Sequence, residues 1–230
     1  MALTVDTRTA TEYGVVRTFG QLDWLATAPS GSVRDIGTTT YGNQINTEYL
    51  FIQFAGFTFG KSSSAYSTPW NGFPGNISSS LLGGNNTDTG TNNIQYTAQF
   101  GNGVSGSIGL DDPLGFNRTN VFNLATGLNA AGVTGNAYAG VHAPDIVGNI
   151  RVDQAWGLFQ ISAAAHEVSG SYNDLTAATA AATSLSEISG HPDTKWGGSV
   201  MAALQIKNLP TGAGDDIKMD VPTLRATRRT

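Results

Sequence analysis

Three histidines, His142, His166 and His191, are the side chains of this 230-residue chain best suited to holding a metal or moving a proton. They stand far apart and lack the HExxH spacing that sets two imidazoles on one helix face, so each reads as a loop or lumen residue. A serine nucleophile would need a GxSxG elbow, which is missing. A thiol nucleophile, a zinc finger or a disulfide would need cysteine, and there is none. Gly101-Asn102-Gly103-Val104-Ser105-Gly106 has the glycine spacing of a dinucleotide fingerprint. No helix pattern follows it, so it reads as a hairpin turn. Gly83-Gly84 with Asp88 is a single copy of a pattern that binds calcium only when stacked in series. The reading is of a protein that makes no bonds and holds no metal or cofactor. What is left is a set of isolated charges and many neutral polar side chains, whose chemistry depends on the surface that carries them.

Composition describes that surface. Only 13% of residues are charged, about half the roughly 25% usual for a soluble domain, and there are 29 glycines. A formal charge of −5 and a pI near 5.0 provide no basic stripe for phosphates, which argues against nucleic acid as a partner. A spanning helix needs about 20 consecutive apolar residues, and the best run, Tyr49 to Phe59, is broken by Gln53 and Thr58. The start, Met1 to Asp6, has no basic region followed by an apolar stretch, so it does not read as a signal peptide.

Alternation with period two recurs through most of the chain, in segments bounded by Gly, Asn, Asp or Pro. Leu3, Val5, Thr7 and Thr9 share one face, opposite Thr4, Asp6 and Arg8. Thr18, Gly20, Leu22, Trp24 and Ala26 oppose Arg17, Phe19, Gln21 and Asp23. Ile94, Tyr96, Ala98 and Phe100 oppose Asn93, Gln95, Thr97 and Gln99; after the Gly101-Asn102-Gly103 turn, Val104, Gly106, Ile108 and Leu110 oppose Ser105, Ser107, Gly109 and Asp111. A second hairpin sets Ile150, Val152, Phe159, Ile161, Ala163 and Ala165 against Asn149, Arg151, Asp153, Gln160, Ser162 and His166. The last clear strand sets Trp196, Val200, Ala202, Leu204 and Ile206 against Ser199, Met201, Gln205 and Lys207. Glu48 to Lys61 is apolar on both faces and reads as two strands joined near Ala55-Gly56. Pro222 to Thr230 is basic and does not alternate, so it reads as a non-strand tail.

The joins after Thr11, Ala55, Phe100, Gln154 and Asn208 are short, and those at 27–43, 62–91, 113–144 and 169–193 are long. Hairpins with every second connection short put all long loops at one end, as in outer-membrane barrels. A soluble sandwich strand also alternates, but its wet face should be rich in Lys and Glu, and here that face is mainly Gln, Asn, Ser and Thr. Trp24, Trp156 and Trp196 lie near strand ends, where bilayer girdles form. The residues alone leave two readings open: a membrane barrel, and a soluble secreted all-β adhesion or carbohydrate-binding module.

The wording of several stretches adds to the pattern. Leu3-Thr-Val-Asp-Thr-Arg-Thr-Ala-Thr-Glu-Tyr-Gly14, Phe51-Ile-Gln-Phe-Ala-Gly-Phe-Thr-Phe-Gly60, Ile94-Gln-Tyr-Thr-Ala-Gln-Phe100, Ala143-Pro-Asp-Ile-Val-Gly-Asn-Ile-Arg-Val-Asp-Gln-Ala-Trp-Gly157 and Lys195-Trp-Gly-Gly-Ser-Val200 resemble outer-membrane porins of the alphaproteobacterial type, in that family's order. The resemblance runs from about Leu3 to Met219. It implies an all-β, antiparallel transmembrane barrel of the sixteen-stranded type, trimeric, in the bacterial outer membrane and its lipid bilayer, passing small hydrophilic solutes and ions by passive diffusion. About ten strands are expected here, as a partial barrel over residues 1–221, with the family's signal peptide and opening strand segment missing and residues 222–230 as an atypical tail. The resemblance makes 63–90 the loop that folds into the lumen and narrows it, with Tyr66, Trp70, Phe73, Pro74 and Asp88 on it. Inward-pointing Arg8, Arg17, Lys61 and Arg151 are expected to form a basic strip, with Asp6, Asp23, Asp88, Asp111 and Asp153 as its acidic counterpart.

Overall fold

The computed structural model describes residues 2–26, 43–70, 90–113, 139–170, 191–212 and 214–225. Ten strands make one sheet: β1 (Ala2–Thr11), β2 (Gly14–Ala26), β3 (Asn43–Phe54), β4 (Phe57–Ser62), β5 (Thr91–Gly101), β6 (Val104–Asp111), β7 (Asp145–Gln154), β8 (Gly157–Val168), β9 (Lys195–Lys207) and β10 (Asp216–Arg225). Each pairs antiparallel with the next in the chain, so β1 and β10 are the two edges and the sheet is open. Most strands have ten to thirteen residues. At about 3.3 Å per residue that is enough to cross a hydrocarbon layer of about 30 Å.

The short turns hold this meander in register. Asn102 and Gly103 both take positive φ, 49° and 72°, the geometry that matches the twist of a two-residue hairpin. Only glycine fits the second position, because a Cβ there would stand 2.0 Å from the Asp153 carbonyl oxygen. Gly103 itself accepts a hydrogen bond from the Asp153 amide at 2.8 Å, which ties the β5–β6 turn to β7. At the β3–β4 turn Ala55 and Gly56 also take positive φ, 50° and 87°.

Register sorts the side chains into two rows that run the width of the sheet. One passes through Thr18, Ile52, Phe59, Ile94, Leu110, Ile146, Ala165 and Gly198. Its neighbour passes through Asp6, Phe19, Phe51, Gly60, Asn93, Asp111 and Asp145. The first face lies bare: Ile94 is 53% exposed, Ile108 62% and Ile150 63%. Trp24 and Trp196 at the long-loop end are exposed on it as well, and Trp156 is exposed in the short β7–β8 turn. So broad an apolar surface is costly in water and is the solvated state in lipid. Among the described residues the middle of this face carries no charge; Lys61 and Glu167 stand at strand ends.

Two expectations need correcting. Pro222 to Arg225 are strand, the end of β10, paired with Met201 to Gly198. Proline gives no amide to a ladder, so it is admitted on an edge strand such as this one, and a sequence rule that counts it as a breaker misplaces the boundary. Lys61 shares the face of Phe57 and Phe59, the apolar one, and not that of the arginines. Its Nζ donates to the Thr47 carbonyl.

Candidate functional site: the inner wall and the segment across it

The polar face is concave, and the chain shows why. From Ser62 at the end of β4 to Tyr66 is four residues, a reach of about 14 Å at most. Tyr66 nevertheless meets Ser199 of β9, five strands along, where the wall itself measures about 24 Å at about 4.8 Å per strand. The tyrosine side chain makes up the difference only when it is stretched along the wall, and the turn from Ser64 to Ser67 keeps the segment short of full extension, so a curved wall that shortens the chord suits the contact.

Residues Ser63 to Trp70 lie over the inner face of β7, β8 and β9, held by polar side chains from the wall. Asn149 Nδ2 donates to the Ala65 carbonyl at 2.6 Å, Gln160 Nε2 donates to the Ser67 carbonyl at 2.8 Å, and the Tyr66 hydroxyl bonds to Ser199 Oγ. Within the segment the Tyr66 amide donates to Ser64 Oγ and the Ser67 amide to the Ser64 carbonyl, a serine-initiated turn that points the tyrosine at the wall. Ala65 and Tyr66 pack with Val147, Ala164 and Met201 in a small apolar cluster, in which Tyr66 and Met201 are 0% exposed. Below it lies a polar cavity of about 460 Å³, lined among others by Thr97, Ser105, Ser107, Asn149, Arg151 and Gln160.

Arg17 and Arg8 face each other across β1 and β2, on the inner side. Arg17 donates to Asp6 at 2.9 and 3.1 Å and to Gln53 Oε1 at 3.0 Å, and its guanidinium lies over Phe19 and Phe51, 5.2 and 5.5 Å from the ring centroids. Arg8 reaches the same carboxylate at 3.5 Å. Arg151 pairs with Asp153 at 2.9 Å, and Lys207 joins them at 3.1 Å. Asp23 is on the inner side of β2. The described charges therefore do not sort into a basic strip facing an acidic one, because each inner arginine sits beside an aspartate of its own or a neighbouring strand.

Asp111 is on the inner face as expected but is only 1% exposed, with Ser64 beside it, so it is no water-facing wall charge. Tyr66 is buried as an anchor, and Trp70 ends the described part of the segment. Phe73, Pro74, Asp88, the remainder of 63–90 and the Ala/Thr run 175–185 lie outside the described residues. The sequence reading missed the anchoring set, Asn149, Gln160 and Ser199, and the pair His166 and Asp145, whose Nδ1 and Oδ1 are 2.6 Å apart. All share the polar face by parity; that signal was present, and what was absent was any hint of which strands the segment returns to.

Comparison with known proteins agrees with this geometry. The sequence is similar to porin Omp2b of Brucella abortus and of Brucella canis, 29% identical over 163 residues, which is 68% of this chain and 40% of those porins. The fold is similar to that of the outer membrane channel DcaP of Acinetobacter baumannii, with a TM-score of 0.56 over 91% of this chain and 48% of that one at 14% identity, a likeness of fold alone. The chain thus spans well under half the length of the Omp2b relatives it matches. An apolar-out, polar-in wall with a segment across its concave side belongs in the bacterial outer membrane, and the sequence model of one family covers residues 1–223: the chain belongs to the porin subfamily.

Proposed function

We propose that this chain builds part of the wall and the narrowing of a water-filled outer-membrane channel, through which small hydrophilic solutes and ions pass by passive diffusion. Family membership supports a channel rather than an enzyme. In this reading the wall is completed to a sixteen-stranded ring, three such rings associate as a homotrimer, and loop 63–90 narrows the lumen. The observation that carries the proposal is the path of Ser63 to Trp70 across the concave polar face, tied to β7, β8 and β9 by Asn149, Gln160 and Tyr66. A pore selects by the width and wall charge of its constriction, and the register row that runs through Arg17 also runs through Gln53, Gln95, Val147 and Ser199, so the guanidinium and the anchored segment lie on one row of the wall.

Planar-bilayer recording tests it. Protein refolded in detergent should give stepwise, ohmic conductance that falls as polyethylene glycols of increasing size are added. Recovery of a folded, monomeric chain in detergent-free buffer, with no conductance, would defeat it. The soluble-module reading would need a charged outer face, and Leu50, Ile94, Ile108 and Ile150 occupy that face instead.

A further inference from the structure

We propose that Asp111 and Asp145 form a divalent-cation site, of calcium type, which fastens the inserted segment to the wall. The two residues are directly opposite each other on β6 and β7, at the long-loop end of the inner face. Both are buried, 1% and 0% exposed. Like carboxylates placed opposite each other repel, and burial removes the water that would screen them. Among the described residues neither has a lysine or arginine partner.

The orphaned oxygens point to a ligand. Among the described residues, both carboxylate oxygens of Asp111 and Oδ2 of Asp145 are buried with no hydrogen-bond partner, while Oδ1 of Asp145 is taken by His166. A buried oxygen without a donor is costly, and three on facing residues would need to be answered together. A proton shared between the pair answers two of these oxygens and leaves the third; a divalent cation can answer all three. The neighbouring group is a hard oxygen donor: the Ser64 hydroxyl stands beside the Asp111 carboxyl, whereas Asn93, the cross-strand partner of Asp111 on the other side, is turned to Ser62 and Thr91. Two carboxylates, a hydroxyl and water suit calcium, which takes six to eight oxygens in a flexible shell, better than magnesium, which demands a near-ideal octahedron. His166 acts as a positioning residue, holding Asp145 so that Oδ2 is left for the ion. Because Ser64 begins the turn that presents Tyr66, an ion held there would tie the root of the segment to β6 and β7. This inference rests on the wall geometry and does not depend on which solutes pass.

Isothermal titration of EDTA-treated protein in detergent with calcium chloride is the test, with the same titration on D111N and D145N. One saturable site per chain is expected, with a dissociation constant on the order of 10⁻⁴ to 10⁻³ M, weakened roughly tenfold or more in either variant. Calcium should also raise the melting temperature of the native chain but not of D111N. Absence of saturable binding by the native chain, or binding that both variants leave unchanged, would overturn the proposal. Should the variants fail to fold, the titration and melting shift of the native chain decide. If the native melting temperature instead follows pH and ignores calcium, the pair shares a proton and the cation site is wrong.

Discussion

The inner faces of β1–β3 and of β6–β9 are woven from the same alternation, yet they spend their polar groups differently. On β2 and β3, Arg17 lies over Phe19 and Phe51 and shares Asp6 with Arg8, and these charges stay at the water's edge. On β6 to β9, Asp111, Gln160, Ser162 and His166 are buried, several of them beneath the inserted segment, and Gln160 donates to the segment's backbone. A charge in the first region is available to a passing ion. A polar group in the second is committed to holding a piece of chain.

If that division is right, substitutions in the second region should act on structure and gating, and those in the first on selectivity. The largest effect is expected from Tyr66→Ala. It removes a fully buried ring and its bond to Ser199, a local loss of about 3–5 kcal/mol by analogy with large aromatic deletions. The segment should come free, seen as larger single-channel conductance and faster proteolysis between Ser63 and Trp70. Next comes Gln160→Leu, which leaves the Ser67 carbonyl and Ser162 hydroxyl without their donor. A cost of about 1–3 kcal/mol should lower the melting temperature in detergent and add conductance noise. Tyr66→Phe is a finer probe: it deletes only the hydroxyl, about 1 kcal/mol, and should keep the native conductance while exchanging the segment's amides faster. Smallest in stability is Arg17→Gln, whose ion pair is about one-third exposed, so its melting temperature should fall only slightly. The cation-to-anion permeability ratio, read from reversal potentials in a salt gradient, should rise. An unchanged ratio would mean that the exposed wall does not set selectivity, and the contrast between the two regions would lose its meaning.

Much of this was legible in the residues. Wherever the two faces differ in type, as between Ile94 and Gln95 or Ile161 and Gln160, parity gave the correct side, and the turns at Ala55-Gly56 and Asn102-Gly103 fell where expected. Lys61 was misplaced because its hairpin has aromatics on both faces, Phe51 and Tyr49 inside and Phe57 and Phe59 outside, so that alternation there is invisible to composition. A register shift between Gln21 and Leu22, opposite Glu48, further breaks the count on β3. Pro222 was misjudged because tolerance of a missing amide depends on being at an edge, which only pairing defines. The anchoring role of Asn149 and Ser199 depends on a contact between distant parts of the chain, which no local pattern encodes.

The open sheet has one further consequence. Along the free sides of β1 and β10, amides and carbonyls have no ladder partner among the described residues. Hydrocarbon provides neither donors nor acceptors, so those two rims can enter a bilayer only when other strands meet them. Membrane entry and circumferential zipping-up are thus the same thermodynamic event for this wall, and a half-assembled sheet belongs at the aqueous interface or on a chaperone rather than among the acyl chains.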